Sequence, residues 1–147
     1  MVVGVVIAAG ALAVSVYSFY ISHTYTSRRE QIKTSRYMWE RIYVRLDEIQ
    51  EITSTEEWNK SGQKDVPLKK LWPLVREIDY FAYLILIGEI KDKDVLGYYK
   101  VPLSQYIENI LKYYTPADQR YYLYLDYGNF RELIKKWDIN RPDGEMP

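Results

Sequence analysis

No cysteine occurs in this chain, and histidine occurs once, at His23. The first absence excludes disulfides, thiolate metal sites, iron–sulfur clusters and cysteine nucleophiles, and it is neutral about compartment because exported proteins can also lack thiols. The second leaves a zinc or copper site to unusual carboxylate-rich ligation, and any Ser/His/Asp set would depend on a single imidazole. No GxxxxGK[ST], GxGxxG or GxSxG motif is present, and the seven glycines are scattered rather than gathered into a phosphate cradle. Net charge is missing too: 20 basic residues balance 20 acidic ones, so no basic field points to nucleic acid and no acidic excess marks a solvating tail. Asp47-Glu48, Glu56-Glu57 and the Asp92/Asp94 pair lack the spacing of a calcium loop and read as solvated helix faces or caps. The expectation is a chain with no cofactor, no metal and no nucleic-acid partner.

Charge is also missing locally. From Val2 to Ser27 no side chain is charged apart from the partial charge open to His23, and residues 2–22 alone have about the length a helix needs to cross a bilayer. A secretory signal would put basic residues ahead of a shorter apolar core. Here apolar residues begin directly after Met1, and Ala11-Leu12-Ala13 imitates a cleavage site but falls too early. The expectation is therefore a transmembrane helix over residues 1–26. Tyr17, Phe19, Tyr20 and Tyr25 stand where an aromatic belt would meet the headgroups, followed by Arg28 and Arg29 and then Lys33 and Arg36. These cations place the C-terminal side in the cytoplasm, giving a single-pass protein of the cell membrane with its N-terminus outside. His23 reads as an interfacial residue. The basic run, extended by Arg41 and Arg45, could touch anionic lipid in its first turns, although Glu30, Glu40, Asp47 and Glu48 dilute it further on. Gly4, Ala8, Ala11, Ser15, Ser18 and Ser22 fall at alternating steps of four and three, on one side of a helix, the pattern for close approach of another helix in lipid.

Residues 27–139 read as one cytoplasmic helical domain and residues 140–147 as a polar tail. Proline and glycine are absent from residues 27–53, where Ile32, Ser35, Trp39, Ile42, Leu46 and Ile49 mark one helical stripe. That helix is expected to continue the membrane span as a rod of roughly 75 Å, packed on the chain's own later helices or paired in a coiled-coil dimer. Ser54-Thr55-Glu56-Glu57 has capping-box form for a short helix around Trp58, and residues 59–65 form the clearest loop. A turn at 67–72 should precede a central helix from Pro73 to about Glu89, with Leu74, Ile78, Phe81, Ala82 and Ile85 inward. The run from Phe81 to Ile87 is too short, and too closely bracketed by Asp79 and Glu89, to be a second span. Lys91-Asp92-Lys93-Asp94 supplies a turn and cap. Residues 95–114 read as helical, bent or split at Pro102, with Leu96, Leu103, Ile107, Ile110 and Leu111 facing the core. Thr115-Pro116 opens a helix to about Asp126 that Gly128 ends, and Asn129-Phe130-Arg131-Glu132 resembles a capping box for a last helix to about Asp138. No strand pattern or internal repeat competes, so the fold class is all-α.

Tyrosine is the over-used residue, 16 in all. Tyr113, Tyr114, Tyr121, Tyr122, Tyr124 and Tyr127 carry more aromatic surface than a thin last layer obviously buries, and they form a candidate partner face. Val75-Arg76-Glu77-Ile78-Asp79-Tyr80-Phe81-Ala82-Tyr83, with Ile87-Gly88-Glu89-Ile90 after it and Tyr98-Tyr99 beyond, resembles a group of small prokaryotic single-pass membrane proteins whose cytoplasmic helical domain has unknown function. Trp39 and the Leu133-Ile134-Lys135-Lys136-Trp137 ending fit that group's order of elements. Asp79 and Ala82 stand where its pattern has Asn and Glu. The resemblance implies architecture and topology and assigns no catalytic residue. The functional expectation is a non-catalytic membrane-anchored accessory or assembly subunit, whose partners are the lipid bilayer and another membrane protein subunit. The alternatives are a self-associating membrane-tethered regulator or sensor, in the form of a homodimer, and an enzyme with a carboxylate and tyrosine site.

Overall fold

The structure, a computed structural model, describes residues 2–54 and 66–142, with side chains from Leu12 onward. The expected capping box and short helix around Trp58, the loop at 59–65 and the end of the tail lie outside the described residues. The described residues are helical, with no strand among them. The helices are α1 (Val2–Thr53), α2 (Leu68–Leu86), α3 (Lys93–Asn109), a π-helical turn (Ile110–Tyr114), α4 (Ala117–Asp126) and α5 (Gly128–Trp137).

Helix α1 is one uninterrupted element of 52 residues, roughly 78 Å long. Its character changes along its length. From Leu12 to Thr26 every residue is exposed, whereas Gln31, Ser35, Met38, Ile42, Leu46 and Ile49 are buried at steps of three and four. The expected stripe is thus present, rotated slightly: Met38 and Gln31 take the central positions, Trp39 is partly covered and Ile32 faces out. This stripe packs on the chain's own α2, which answers the choice between self-packing and a coiled coil for this segment. Among the described residues no helix is long and apolar enough to cross a membrane. The transmembrane helix expected over residues 1–26 is therefore not shown. The physical reason is compositional: from Leu12 onward, Ser15, Ser18, Ser22, His23, Thr24 and several tyrosines interrupt the aliphatic residues. The aliphatic richest part of the sequence precedes Leu12.

Helix α2 is the centre of the domain and packs against both α1 and α5. It starts at Leu68 rather than at Pro73, and Pro73 sits inside it. The proline removes the donor that would meet the Lys69 carbonyl, at a cost of about 3 kcal/mol. Leu71, Leu74 and Val75 around it are fully buried. Each contributes about 1.5–3 kcal/mol, so burial carries the helix through. Helix α3 runs through Pro102 in the same way, with Tyr99, Leu103 and Ile107 buried around it. Its end widens into the π-helical turn, where the backbone N–H and hydroxyl of Thr115 both donate to the Ile110 carbonyl, at 2.9 and 2.7 Å. The wider turn lets two successive residues, Ile110 and Leu111, enter the core together. Thr115 is extended, as the residue before Pro116 must be. A single residue, Tyr127, separates α4 from α5, so Gly128 opens the last helix instead of closing the previous one.

Helix α2 ends at Leu86 by a glycine device. Gly88 has φ of 81°, its N–H donates to the Ile85 carbonyl, and the N–H of Ile90 reaches back to Leu84. Ile90 is buried beneath the turn. The Ile87-Gly88-Glu89-Ile90 motif is thus a left-handed helix stop with an apolar latch.

Candidate functional site

Four polar contacts set the position of the α2–α3 hairpin along α1. Lys70 Nζ meets Glu48 Oε2 at 3.3 Å, and Arg41 forks onto Glu77, Nε to Oε2 at 2.8 Å and Nη2 to Oε1 at 2.7 Å. Gln31 Oε1 accepts from the backbone N–H of Lys91 at 2.9 Å and of Asp92 at 2.8 Å. Arg28 closes the series on Asp94 at 2.7 Å and Asp92 at 3.4 Å. Each seven residues gained along α2 from Lys70 to Glu77 is seven lost along α1 from Glu48 to Arg41. The two helices are therefore antiparallel, and the turn after α2 lies level with Gln31 and Arg28. Asp92 also caps α3, accepting from Asp94 N–H and Val95 N–H, the cap expected from the Lys91–Asp94 sequence.

Glu77 is the one acidic side chain classed as buried among the described residues, and its carboxylate takes both oxygens to Arg41. Arg41 also donates to the Tyr37 hydroxyl at 2.8 Å. These partners, Glu77 first and Tyr37 next, raise the Arg41 pKa further above its already high ordinary value. The pair ties α2 to α1.

The expected membrane anchors divide. Tyr17, Phe19, Tyr20, Tyr25, Arg28 and Arg29 are all exposed, but Arg28 alone of the six is engaged across helices, with Asp92 and Asp94. His23 stacks on Phe19 with ring centroids 6.1 Å apart. In the small-residue stripe Ser15, Ser18 and Ser22 are exposed; the side chains of Gly4, Ala8 and Ala11 lie outside those described. The tyrosine face divides as well. Tyr124 is buried, Tyr114 and Tyr127 are half-buried, and Tyr127 lies with its ring 6.1 Å from Trp72. Tyr113 is exposed beneath Lys112, with Nζ 5.0 Å from its ring centroid. Tyr121 and Tyr122, edge to face at 5.9 Å, are exposed beside Leu125. Three of the six belong wholly or partly to the domain's own packing, because successive helical positions point to different sides.

Between α1 and α3 lies a groove of about 510 Å³ lined by Ile32, Trp39, Val95, Tyr98 and Tyr99, with Arg28 and Arg36 at its edge. Arg36 pairs with Glu40 at 3.3 Å and Arg28 with Asp94, so the charges around the groove are already matched. Burial first, and then Tyr98 beside it, raise the pKa of Tyr99. This favours a neutral phenol, the opposite of what a tyrosine base requires. Among the described residues no three His, Cys, Asp or Glu side chains gather as a metal site.

Two features that matter here carried no functional assignment from the sequence: Gln31, which ties the hairpin to α1, and the Tyr80–Tyr83–Ile87 strip, exposed on α2 and its end, where the two rings stack at 6.2 Å. Gln31 had a signal, since it stands four residues before Ser35 on the buried stripe of α1. Comparison with protein-family models, with curated proteins and with solved structures gives no match, so the resemblance seen in the sequence lends no residue a role.

Proposed function

We propose that the chain is a non-catalytic, membrane-anchored accessory or assembly subunit. In this reading a single helix over residues 1–26 spans the cell membrane with its N-terminus outside, and the helical domain lies in the cytoplasm. The observation that supports it is the bare state of α1 before the domain. Leu12, Val14, Val16, Tyr17, Phe19, Tyr20 and Ile21 are all exposed, Phe19 by 74%, on a helix with no charged side chain from Val2 to Ser27 other than His23. A contiguous apolar surface of this kind in a soluble monomer marks a membrane or partner contact. Adding the aliphatic residues before Leu12 brings the uncharged segment to the length a bilayer requires. The stripe Gly4, Ala8, Ala11, Ser15, Ser18 and Ser22 would receive a partner's helix, and Tyr121, Tyr122 and Leu125 offer the domain's exposed aromatic contact. Self-association through Ser35, Ile42 and Ile49 would require α2 to leave, so in the alternative reading a rod-like homodimer would pair through the bare segment.

The absence of cysteine makes the test clean. Val2→Cys should label from outside intact cells and Ser61→Cys only after permeabilisation; the reverse pattern refutes the orientation, and loss of the protein from washed membranes refutes the anchor. Native mass measurement after gentle detergent extraction should find a second kind of subunit. A bare monomer would reject the subunit reading. Ala11→Leu should weaken the association more than Leu12→Ala, which lies on another face.

A further inference from the structure

We infer that the turn between α2 and α3, residues 87–93, is a second membrane contact, resting on the anionic headgroups of the leaflet from which α1 emerges. This rests on the membrane reading proposed above. It follows from how the hairpin is fixed to α1. Gln31 holds the backbone of Lys91 and Asp92, and Arg28 holds the side chains of Asp92 and Asp94. The turn is thereby locked at the level of residues 28–31, immediately after Ser27, which ends the uncharged segment that begins at Val2. Helix α1 is continuous through this level, so the distance follows from the helix rise. Arg28 lies about 9 Å beyond Ser22, and the polar layer of one leaflet is about 5–8 Å thick. The turn therefore sits at the outer face of the headgroups, within the roughly 8–10 Å over which the surface potential acts.

The chemistry presented at that level fits such a surface. Ile87 is 52% exposed at the apex, although the Ile90 side chain beside it is buried. Lys91 and Lys93 are exposed and have no ion-pair partner among the described residues, and the same holds for Arg29. Asp92 and Asp94 are neutralised by Arg28, and Lys33 is matched by Glu30 at 3.0 Å. Glu89 is the remaining exposed acid of the turn, against three cations. The rest of the hairpin runs away from the bilayer: Lys70 is level with Glu48, about 30 Å along α1 from Arg28. A single exposed isoleucine flanked by lysines without an ion-pair partner among the described residues, at a turn level with residues 28–31, suits shallow insertion into an anionic interface.

The experiment uses the full chain in lipid nanodiscs of phosphatidylcholine with and without phosphatidylserine. A fluorophore is placed singly at Tyr17→Cys, Ile87→Cys or Lys69→Cys, and quenching is read from nitroxides on the acyl chains and on the headgroups. Acyl-chain quenching at position 17, headgroup quenching at 87 and none at 69 are expected. Phosphatidylserine should strengthen the signal at 87. K91E/K93E should reduce it there, by about fivefold in contact population for each lysine charge lost, and leave position 17 unchanged. Quenching at 17 with position 87 no more quenched than 69 overturns the inference and spares the anchor. Insensitivity at 87 to both phosphatidylserine and K91E/K93E overturns the electrostatic contact. No quenching at 17 overturns the anchor itself.

Discussion

Two glycines, one aspartate and one serine show how little of the energetics resides in residue type alone. Gly88 adopts φ of 81° with nothing within 4 Å of where a Cβ would stand, so Gly88→Ala meets no clash and its cost is conformational, about 1–2 kcal/mol. Gly97 has the same open surroundings but lies inside α3 with no positive φ. There the same change should stabilise by about 0.5–1 kcal/mol. Thermal melts of the two variants should move in opposite directions; parallel shifts would mean that the left-handed stop of α2 is not what Gly88 provides. Asp138 is the mirror case, a non-glycine at φ of 53° closing α5, and Asp138→Gly should raise the melting temperature. Ser35 offers a different contrast. Its side chain is fully buried and its hydroxyl has no hydrogen-bond partner among the described residues, so Ser35→Ala should be neutral or stabilising by up to about 1 kcal/mol, the desolvation it no longer suffers.

Between elements, the decisive contact is Asp79. It leaves α2 to accept the Phe130 N–H at 2.7 Å and the Asn129 side-chain amide at 3.1 Å. The first turn of α5 is thus capped from another helix, and the capping box expected at Asn129–Glu132 does not form. Asp79→Ala should cost about 1–2 kcal/mol and speed hydrogen exchange at the first amides of α5. Asp79→Asn, which keeps the acceptor, should cost less. If both variants exchange like the parent, α5 holds its first turn without Asp79. The two capping readings also show what the sequence can carry. Asp92 was legible because its partners lie two and three residues away; Asp79 was not, because its partner lies 51 residues away. Helix α1 and the inward residues of α2 were legible from apolar spacing, since burial follows period. Pro73 misled because a local preference for the first turn lost to tertiary burial on both sides of it. The π-helical turn left no local sign, because it arises from Thr115 closing on Ile110 ahead of Pro116. The tyrosine face failed for a related reason: count reports aromatic area, and only helix rotation decides which rings face out.

For the whole molecule, the charge balance sets a window of pH. Glu48 is held below its ordinary carboxylate range chiefly by Lys70, and Glu132 chiefly by Lys135. Their folded-state values lie below their unfolded ones, so the stability they lend is present above about pH 4.5, the unperturbed value, and is lost as pH falls below it. At the other end burial raises the phenols of Tyr99, Tyr114 and Tyr127. A phenol whose folded-state value is raised favours the fold fully below its unfolded value and stops doing so as pH climbs past it, here the ordinary value of 10. An alkaline titration followed by phenolate absorbance and helical circular dichroism together should therefore show the ionisation of these three phenols coinciding with loss of the helix signal, because the rings beside Trp39 and Trp72 ionise only when the packing of α3 and α5 on α1 and α2 opens. Complete phenolate absorbance with the helix signal unchanged throughout would mean that these rings are reached by solvent in the folded domain, and that Tyr114 and Tyr127 belong to an accessible surface and not to its packing.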